Sequence, residues 1–206
     1  GRVEELTGVS SHRFLGGTFH HVGGQVLRLF GDSIGLPRNF TILDDADSDA
    51  LLSEVIRDLD PGFFKSKENP KAKPIKGIIS FSRNVMVPVE DVAKGRYPSN
   101  SELLAKIDSF MRDYQDTKIR RGVADYDDLL VLWLQVLETN KEAARYYQER
   151  FSHILVDEYQ DVNSLQSKIV DKIAANHQIM AVGDDAQCIY TWRGADIDQI
   201  LGFPER

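Results

Sequence analysis

The stretch HILVDEYQDV, residues 153–162, runs a short apolar segment directly into Asp157, Glu158, Gln160 and Asp161. Adjacent acids at the end of a buried strand can hold a magnesium ion through water and orient a second water beside a nucleotide phosphate. Asp157 would serve the metal and Glu158 would polarise the attacking water. Acids at strand ends also act as helix caps and salt-bridge partners, so the pair alone leaves both readings open. A second stretch, AVGDDAQCIYTWRGA at 181–195, also leaves an apolar run and gathers Gln187, Tyr190, Trp192 and Arg193. A Trp-Arg pair beside a phosphate site suits stacking on unpaired bases and contact with their backbone. The alternative is that Tyr190 and Trp192 are core aromatics, which the glycine and polar neighbours make awkward.

The elements that position these residues follow from periodicity. HILV and QIMAV read as short strands, with a helix from about Ser164 between them that places Leu165, Ile169 and Ile173 on one face. That β-α-β rhythm predicts parallel neighbours, and ligands of open parallel sheets bind beyond the carboxyl ends of the strands. Upstream, Leu51, Leu52, Val55, Ile56 and Leu59 recur at helical spacing behind an N-cap at Asp47 or Ser48, and Pro61-Gly62 end the run. Residues 61–98 read as irregular, with a short apolar piece at Ile78, Ile79 and Phe81. Ser99 and Glu102 have capping-box spacing ahead of a stripe of Leu103, Ile107, Phe110, Met111 and Tyr114, and Lys118, Arg120, Arg121 and Gly122 form a C-terminal signal. VLWLQVL, apolar nearly all round, predicts a deeply buried helix. The Gly16-Gly17 and Gly23-Gly24 pairs read as turns.

The 206 residues, 42% hydrophobic, suffice for a core. One cysteine, Cys188, allows no disulfide framework within the chain, and no run approaches the roughly 20 apolar residues of a membrane span. Both features predict a cytoplasmic protein without a membrane partner, nucleoid-associated if bacterial. A net charge of -7 argues against coating nucleic acid by bulk electrostatics. It does not argue against a local basic site, because five lysines lie within KSKENPKAKPIK, residues 65–76, which reads as a mobile loop. The start at Gly1 rather than Met points to a piece of something longer.

Taken together, four motifs in order resemble the UvrD/Rep family of superfamily 1 DNA helicases: GTFHH at 17–21, DYDDLL at 125–130, VDEYQD at 156–161 and GDDAQCIYTWRGADI at 183–197. The resemblance implies an α/β fold of the P-loop NTPase type. It would comprise part of a RecA-like parallel sheet at 1–46 and 123–206, interrupted by an inserted, mostly helical subdomain at 47–122. It implies ATP and Mg²⁺ as cofactors and single-stranded and duplex DNA as partners. Asp157 would serve magnesium, Glu158 the catalytic water, Gln187 the γ-phosphate, and Gln160 the coupling between sites. Thr18, Phe19, His20, Tyr126, Tyr190, Trp192 and Arg193 would line the single-strand path. The lysine run at 65–76 becomes a candidate for duplex contact.

The chain departs from the family pattern in places. It contains no Gly-Lys dipeptide, and hence no phosphate-cradling loop of the Gly-Lys-Thr type. RVEELTG at 2–8 resembles the region that follows that loop in relatives, so the polypeptide alone is expected neither to hydrolyse ATP nor to unwind DNA, while its parent does both. Ala186 stands where an aspartate is usual, Cys188 replaces the common serine, and His21 follows His20. Two other classes compete. One is a noncatalytic DNA-binding or docking module that kept the motor fold. The other is a metal-dependent nuclease using Asp44, Asp45, Asp47 and Asp49 with Asp157, although acids at a helix start are better explained as caps.

Overall fold

The computed structural model describes residues 5, 15–174, 178–184, 186 and 202–203. Thr18 opens the first long helix, α1 (Phe19–Phe30), its hydroxyl accepting from the His21 amide. A 3-10 turn follows at Gly31–Ile34, and β1 (Thr41–Ile42) leads into α2 (Asp45–Leu59). Next come α3 (Ala72–Val85), α4 (Val89–Arg96), α5 (Ser101–Arg121) and β2 (Val123–Ala124). The chain continues through α6 (Tyr126–Thr139), α7 (Lys141–Arg150), β3 (His153–Val156), α8 (Ser164–Ala174) and β4 (Gln178–Ala181). Among the described residues the strands form two parallel pairs, β1 with β2 and β3 with β4, the latter in register from His153 opposite Gln178 to Val156 opposite Ala181. The expected β-α-β unit with parallel strands is therefore present. None of the described helices is long and apolar enough to cross a membrane.

Two large apolar clusters organise the molecule. One gathers Val26, Leu27, Leu36, Phe40, the buried face of α6 and Leu165 and Ile169 of α8. The other is built entirely from residues between Leu43 and Val123, among them Leu52, Ile56, Phe63, Ile75, Ile78, Ile107 and Phe110. Each buried Leu, Ile or Phe contributes about 1.5–3 kcal/mol relative to exposure. As VLWLQVL predicts, Leu132, Trp133, Leu134, Val136 and Leu137 are all buried. A smaller cluster of Val156, Tyr159, Val162 and Val170 lies under β3 and β4.

Several local expectations need correction. The cap of α2 is Asp44, which accepts from the Asp47 amide, three residues before Asp47 and four before Ser48, so both of those lie inside the helix. Asn100, not Ser99, caps α5 by accepting from Leu103 N. Glu102 instead takes Asn69 and Lys106. Residues 61–98 are not irregular: α3 and α4 occupy most of them. Pro74 falls in the first turn of α3, where its missing N–H costs nothing, and Pro88 precedes α4 as its N-cap. The lysine run is accordingly not one loop. Lys76 lies on α3 and pairs with Asp45 at 2.9 Å and Asp49 at 3.4 Å.

Gly16-Gly17 does form a bend before α1, but Gly23-Gly24 lies buried inside that helix rather than in a turn. A Cβ on Gly23 would stand 2.4 Å from the carbonyl oxygen of Leu129. The glycine there permits a close helix crossing of α1 on α6, not a change of direction.

Candidate functional site

The backbone turns sharply where β3 ends. Val156 is buried, Asp157 and Glu158 are exposed, and Glu158 adopts φ 50°, ψ 46°, the left-handed region in which a non-glycine residue costs roughly 1–3 kcal/mol. The turn is held from several sides. Glu158 N donates to Asp157 Oδ1 at 3.0 Å, Asp161 N donates to Glu158 O at 2.9 Å, and Tyr159 N donates across to Val182 O at 2.8 Å. Such over-determination keeps a strained residue in place, and strained residues of this kind concentrate at sites of chemistry.

Gln160 joins the ends of the two parallel strands. Its side chain is buried, donates from Nε2 to Glu158 Oε2 at 2.6 Å and accepts at Oε1 from Asp184 N at 3.0 Å. One amide therefore fixes the Glu158 carboxylate relative to the loop that follows β4. Tyr159 is buried beneath it, with its hydroxyl 3.4 Å from Ser167 Oγ on α8.

A cleft of about 1060 Å³ opens beside this turn, and its walls bring two of the sequence motifs together. Thr18, Phe19 and His20 line one side, while Asp157, Glu158 and Asp161 line another. Phe19 is half-buried with its ring centroid 6.5 Å from that of Trp133, so it contributes to the wall as much as to the surface. The His20 ring meets Tyr126 edge-on at 6.0 Å, and Tyr126 is 58% exposed at the first position of α6. Thr18, His20 and Tyr126 thus cluster at the N-termini of two closely crossed helices. Gln187, Tyr190, Trp192 and Arg193 lie outside the described residues.

Beneath Tyr126 lies a feature that reading the sequence missed. Lys118 is fully buried, and its ammonium donates at 2.6 Å to both Asp125 Oδ2 and Asp128 Oδ2. Tyr114 OH donates to Asp125 at 2.9 Å, and Arg83 of α3 reaches Asp128 Oδ1 at 3.2 Å. Asp125 and Asp128 also close a reciprocal capping box at the start of α6. Burial pushes the Asp125 carboxyl up, but the Lys118 ammonium and Arg83 guanidinium outweigh it and hold Asp125 at about 2. Burial, together with the Asp125 charge, pushes Asp128 up. Lys118 was expected only as a terminal cation of α5. The signal for its burial was its spacing, four residues beyond Tyr114 on the same apolar stripe.

The acids at 44–49 have other work. Asp44 caps α2, and Asp45 and Asp49 pair with Lys76. Among the described residues no group of three or more His, Cys, Asp or Glu side chains is arranged to hold a metal.

Comparison with known proteins identifies the family. The ATP-dependent DNA helicase PcrA of Staphylococcus epidermidis is 36% identical over 211 residues, covering 99% of this chain and 27% of its own length. The PcrA helicase of Staphylococcus aureus is 34% identical over 205 residues, covering 98% of this chain. The chain therefore spans about a quarter, 27%, of the curated relatives it matches. The model of the UvrD/REP helicase N-terminal domain matches residues 1–206, the whole chain. With that coverage, and with identity above 30% to two helicases, the chain belongs to the UvrD/REP helicase N-terminal domain family.

Proposed function

We propose that this chain is part of the first RecA-like motor domain of an ATP-dependent DNA helicase, one that moves on single-stranded DNA and unwinds duplex DNA in cytoplasmic repair or replication. The observation that carries the reading is the turn after β3, where Glu158 is held in the left-handed region and clamped by Gln160 to the loop after β4. Glu158 is the residue that orients and polarises the attacking water, and Gln160 transmits changes between the two strand ends. Asp157 and Glu158 offer only oxygen donors at an open cleft, which fits a hard cation that keeps water and phosphate oxygens among its ligands. Asp157 would hold Mg²⁺, which when bound neutralises charge on the nucleotide phosphates. Gln187 is assigned to the γ-phosphate on its motif alone.

Thr18, Phe19, His20 and Tyr126, with Tyr190, Trp192 and Arg193, form the single-strand path. The contact of His20 with exposed Tyr126 beside the cleft supports the first four. Residues 47–122 are the inserted helical subdomain, a division supported by the self-contained apolar cluster between Leu43 and Val123. Lys65, Lys67, Lys71 and Lys73, all exposed, are its candidates for duplex contact. Because no Gly-Lys dipeptide is present, the 206 residues alone hydrolyse no ATP.

The test is ATP hydrolysis by the full-length protein with and without single-stranded DNA, beside its Glu158→Gln variant. Hydrolysis that depends on DNA and falls at least roughly 10²-fold in the variant is the expected result. A folded, DNA-binding parent that hydrolyses nothing would leave a noncatalytic module of helicase ancestry.

A further inference from the structure

A chain of three side chains connects the turn after β3 to the helix start that carries Tyr126, and it passes through α3. Asn163 caps α8: its Oδ1 accepts from Gln166 N at 2.9 Å, while Gln166 Oε1 accepts from Asn163 N at 3.0 Å. That leaves the Asn163 amide nitrogen, which donates to Asn84 Oδ1 at 2.8 Å. Asn84 Nδ2 in turn donates to Asp127 Oδ1 at 3.0 Å and to its own helix at Ser80 O, 2.9 Å. The polarity of the chain is fixed chemically. Asn163 must point its oxygen at a backbone N–H, so its nitrogen faces Asn84, whose nitrogen then faces two acceptors; turning either amide over would set donor against donor or oxygen against oxygen.

Both ends of the chain are attached to the proposed machinery. Asn163 lies two residues beyond Asp161, on a turn tied to Glu158 and, through Gln160, to Asp184. Asp127 follows Tyr126 in the first turn of α6. Neighbouring Arg83 takes Asp128 at 3.2 Å and Gln115 at 2.6 Å, so one turn of α3 grips both the start of α6 and the middle of α5. Asn163 is only 6% exposed and Asn84 is half-buried, so at the Asn163 end of the link a lost partner is not replaced cheaply by water.

We propose that Asn84, Asp127 and Asn163 are positioning residues that couple the Glu158 turn to Tyr126, making α3 the element through which DNA on one side accelerates hydrolysis on the other. The inference rests on the helicase reading and deepens it. As positioning residues, none of the three is assigned a contact with nucleotide or DNA. Their role is to keep the Tyr126 helix start and the Glu158 turn in one rigid relation, so that a displacement of either is felt by the other.

The experiment uses the full-length protein and reads three quantities for each variant: the DNA-free ATP hydrolysis rate, its stimulation by single-stranded oligothymidine, and the melting temperature. Asn84→Ala and Asp127→Ala are expected to keep the DNA-free rate within about twofold and to cut the stimulation roughly tenfold. The double variant should lose no more than either single one, as members of one chain do. The exchange N84D/D127N restores a donor facing an acceptor at both links of the chain, because the amide placed at position 127 can donate to the carboxylate placed at position 84, which also accepts from Asn163; only the bond to Ser80 O is lost, with a carboxylate oxygen left facing it. It should recover part of the stimulation that Asn84→Asp alone removes. Asp127 lies near the surface in a first helical turn, so Asp127→Ala carries the test even if Asn84→Ala folds poorly. Unchanged stimulation in Asp127→Ala, or DNA-free and stimulated rates falling in equal proportion, would overturn the coupling role. An unsubstituted protein that DNA does not stimulate would instead sink the helicase reading itself.

Discussion

Replacing Lys118 by methionine removes a buried charge while nearly preserving side-chain length, and its consequences can be worked from the ion cluster at the start of α6. The ammonium is 0% exposed and stands 2.6 Å from each of two carboxylates that are themselves buried. At an effective dielectric near 20, each contact is worth about 6 kcal/mol gross, much of it offset by the desolvation of the ammonium. Breaking a buried pair from one side costs about 3–5 kcal/mol, because the remaining charge has no substitute. Here Arg83, at 3.2 Å from Asp128, can balance one carboxylate but not two. The cheapest adjustment in the variant is proton uptake by Asp128, whose carboxyl is already pushed up by burial and by the Asp125 charge. A folded state that holds a proton the unfolded state has released loses stability as pH rises, by about 1.4 kcal/mol per unit. Lys118→Met should therefore be destabilised by about 3–5 kcal/mol at pH ~7.5, and by less at pH ~6, where Asp128 takes up its proton more readily. Urea unfolding at the two pH values, followed by circular dichroism, gives both numbers. A loss below about 1 kcal/mol, or one that does not change with pH, would refute the assignment of Lys118 as the cation that holds both carboxylates.

The two glycines in α1 should respond in opposite directions. Gly23→Ala pushes a methyl against Leu129 O and should cost about 1–3 kcal/mol, whereas Gly24→Ala meets nothing closer than Arg28 Nη1 at 3.5 Å and should gain about 0.5–1 kcal/mol. Paired thermal melts check this, and equal shifts would mean that the helices do not cross so closely. In the unsubstituted protein, Asp125 contributes stability that is complete above the ordinary aspartate range and is lost as pH falls from about 4 towards 2, since its folded value is depressed. That loss amounts to at most about 2 kcal/mol, and Asp128, shifted the other way, opposes it at higher pH. An acid unfolding titration should be visibly shallower below about pH 4 in Asp125→Asn, and unchanged steepness would contradict the depressed value.

What was legible in the sequence was whatever one element carries by itself. HILV and QIMAV are short apolar runs and the stripe of α8 is periodic, so the parallel pair and the acids at its end could be placed from residue types alone, but the strands are not buried as expected: Leu155 is 72% and Met180 58% exposed. The α5 stripe and its Gly122 terminus, which adopts φ 65°, were legible for the same reason. Between 61 and 98 the local signals conflict: prolines, Gly77 and several lysines mask an apolar face of Ala72, Ile75, Ile78 and Ile79 that is complete once Pro74 is allowed in a first turn. The Gly23-Gly24 pair shows a second kind of ambiguity. Glycine serves both tight turns and close approaches, and only the partner helix, more than 100 residues along, decides which. Cap choice failed by small offsets for a similar reason, since Asp44, Asp47 and Ser48 have equivalent chemistry and tertiary packing selects among them.

The charges that matter most around Tyr126 were invisible because they converge from three elements. Arg83, Lys118 and Asp128 come from three different helices, and each alone looks like an ordinary helix-surface charge. Their burial together is not explained by stability, since well-packed apolar residues could fill the same volume at equal or lower free energy. The geometry accounts for it differently. Asp125 and Asp128 close the capping box at the N-terminus of α6, where their charge also complements the helix dipole, and acids there need cations once α3 and α5 cover them. Supplying those cations from α3 and α5 fixes both helices to one end of α6, whereas an apolar contact could slide by a fraction of a turn. The exposed Tyr126 ring sits on that end against His20, so the ionic cluster sets where this aromatic surface, which we propose meets DNA, is presented. The same contacts tie α3 to that end of α6, which is the attachment the proposed chain from Asp127 through Asn84 to Asn163 requires.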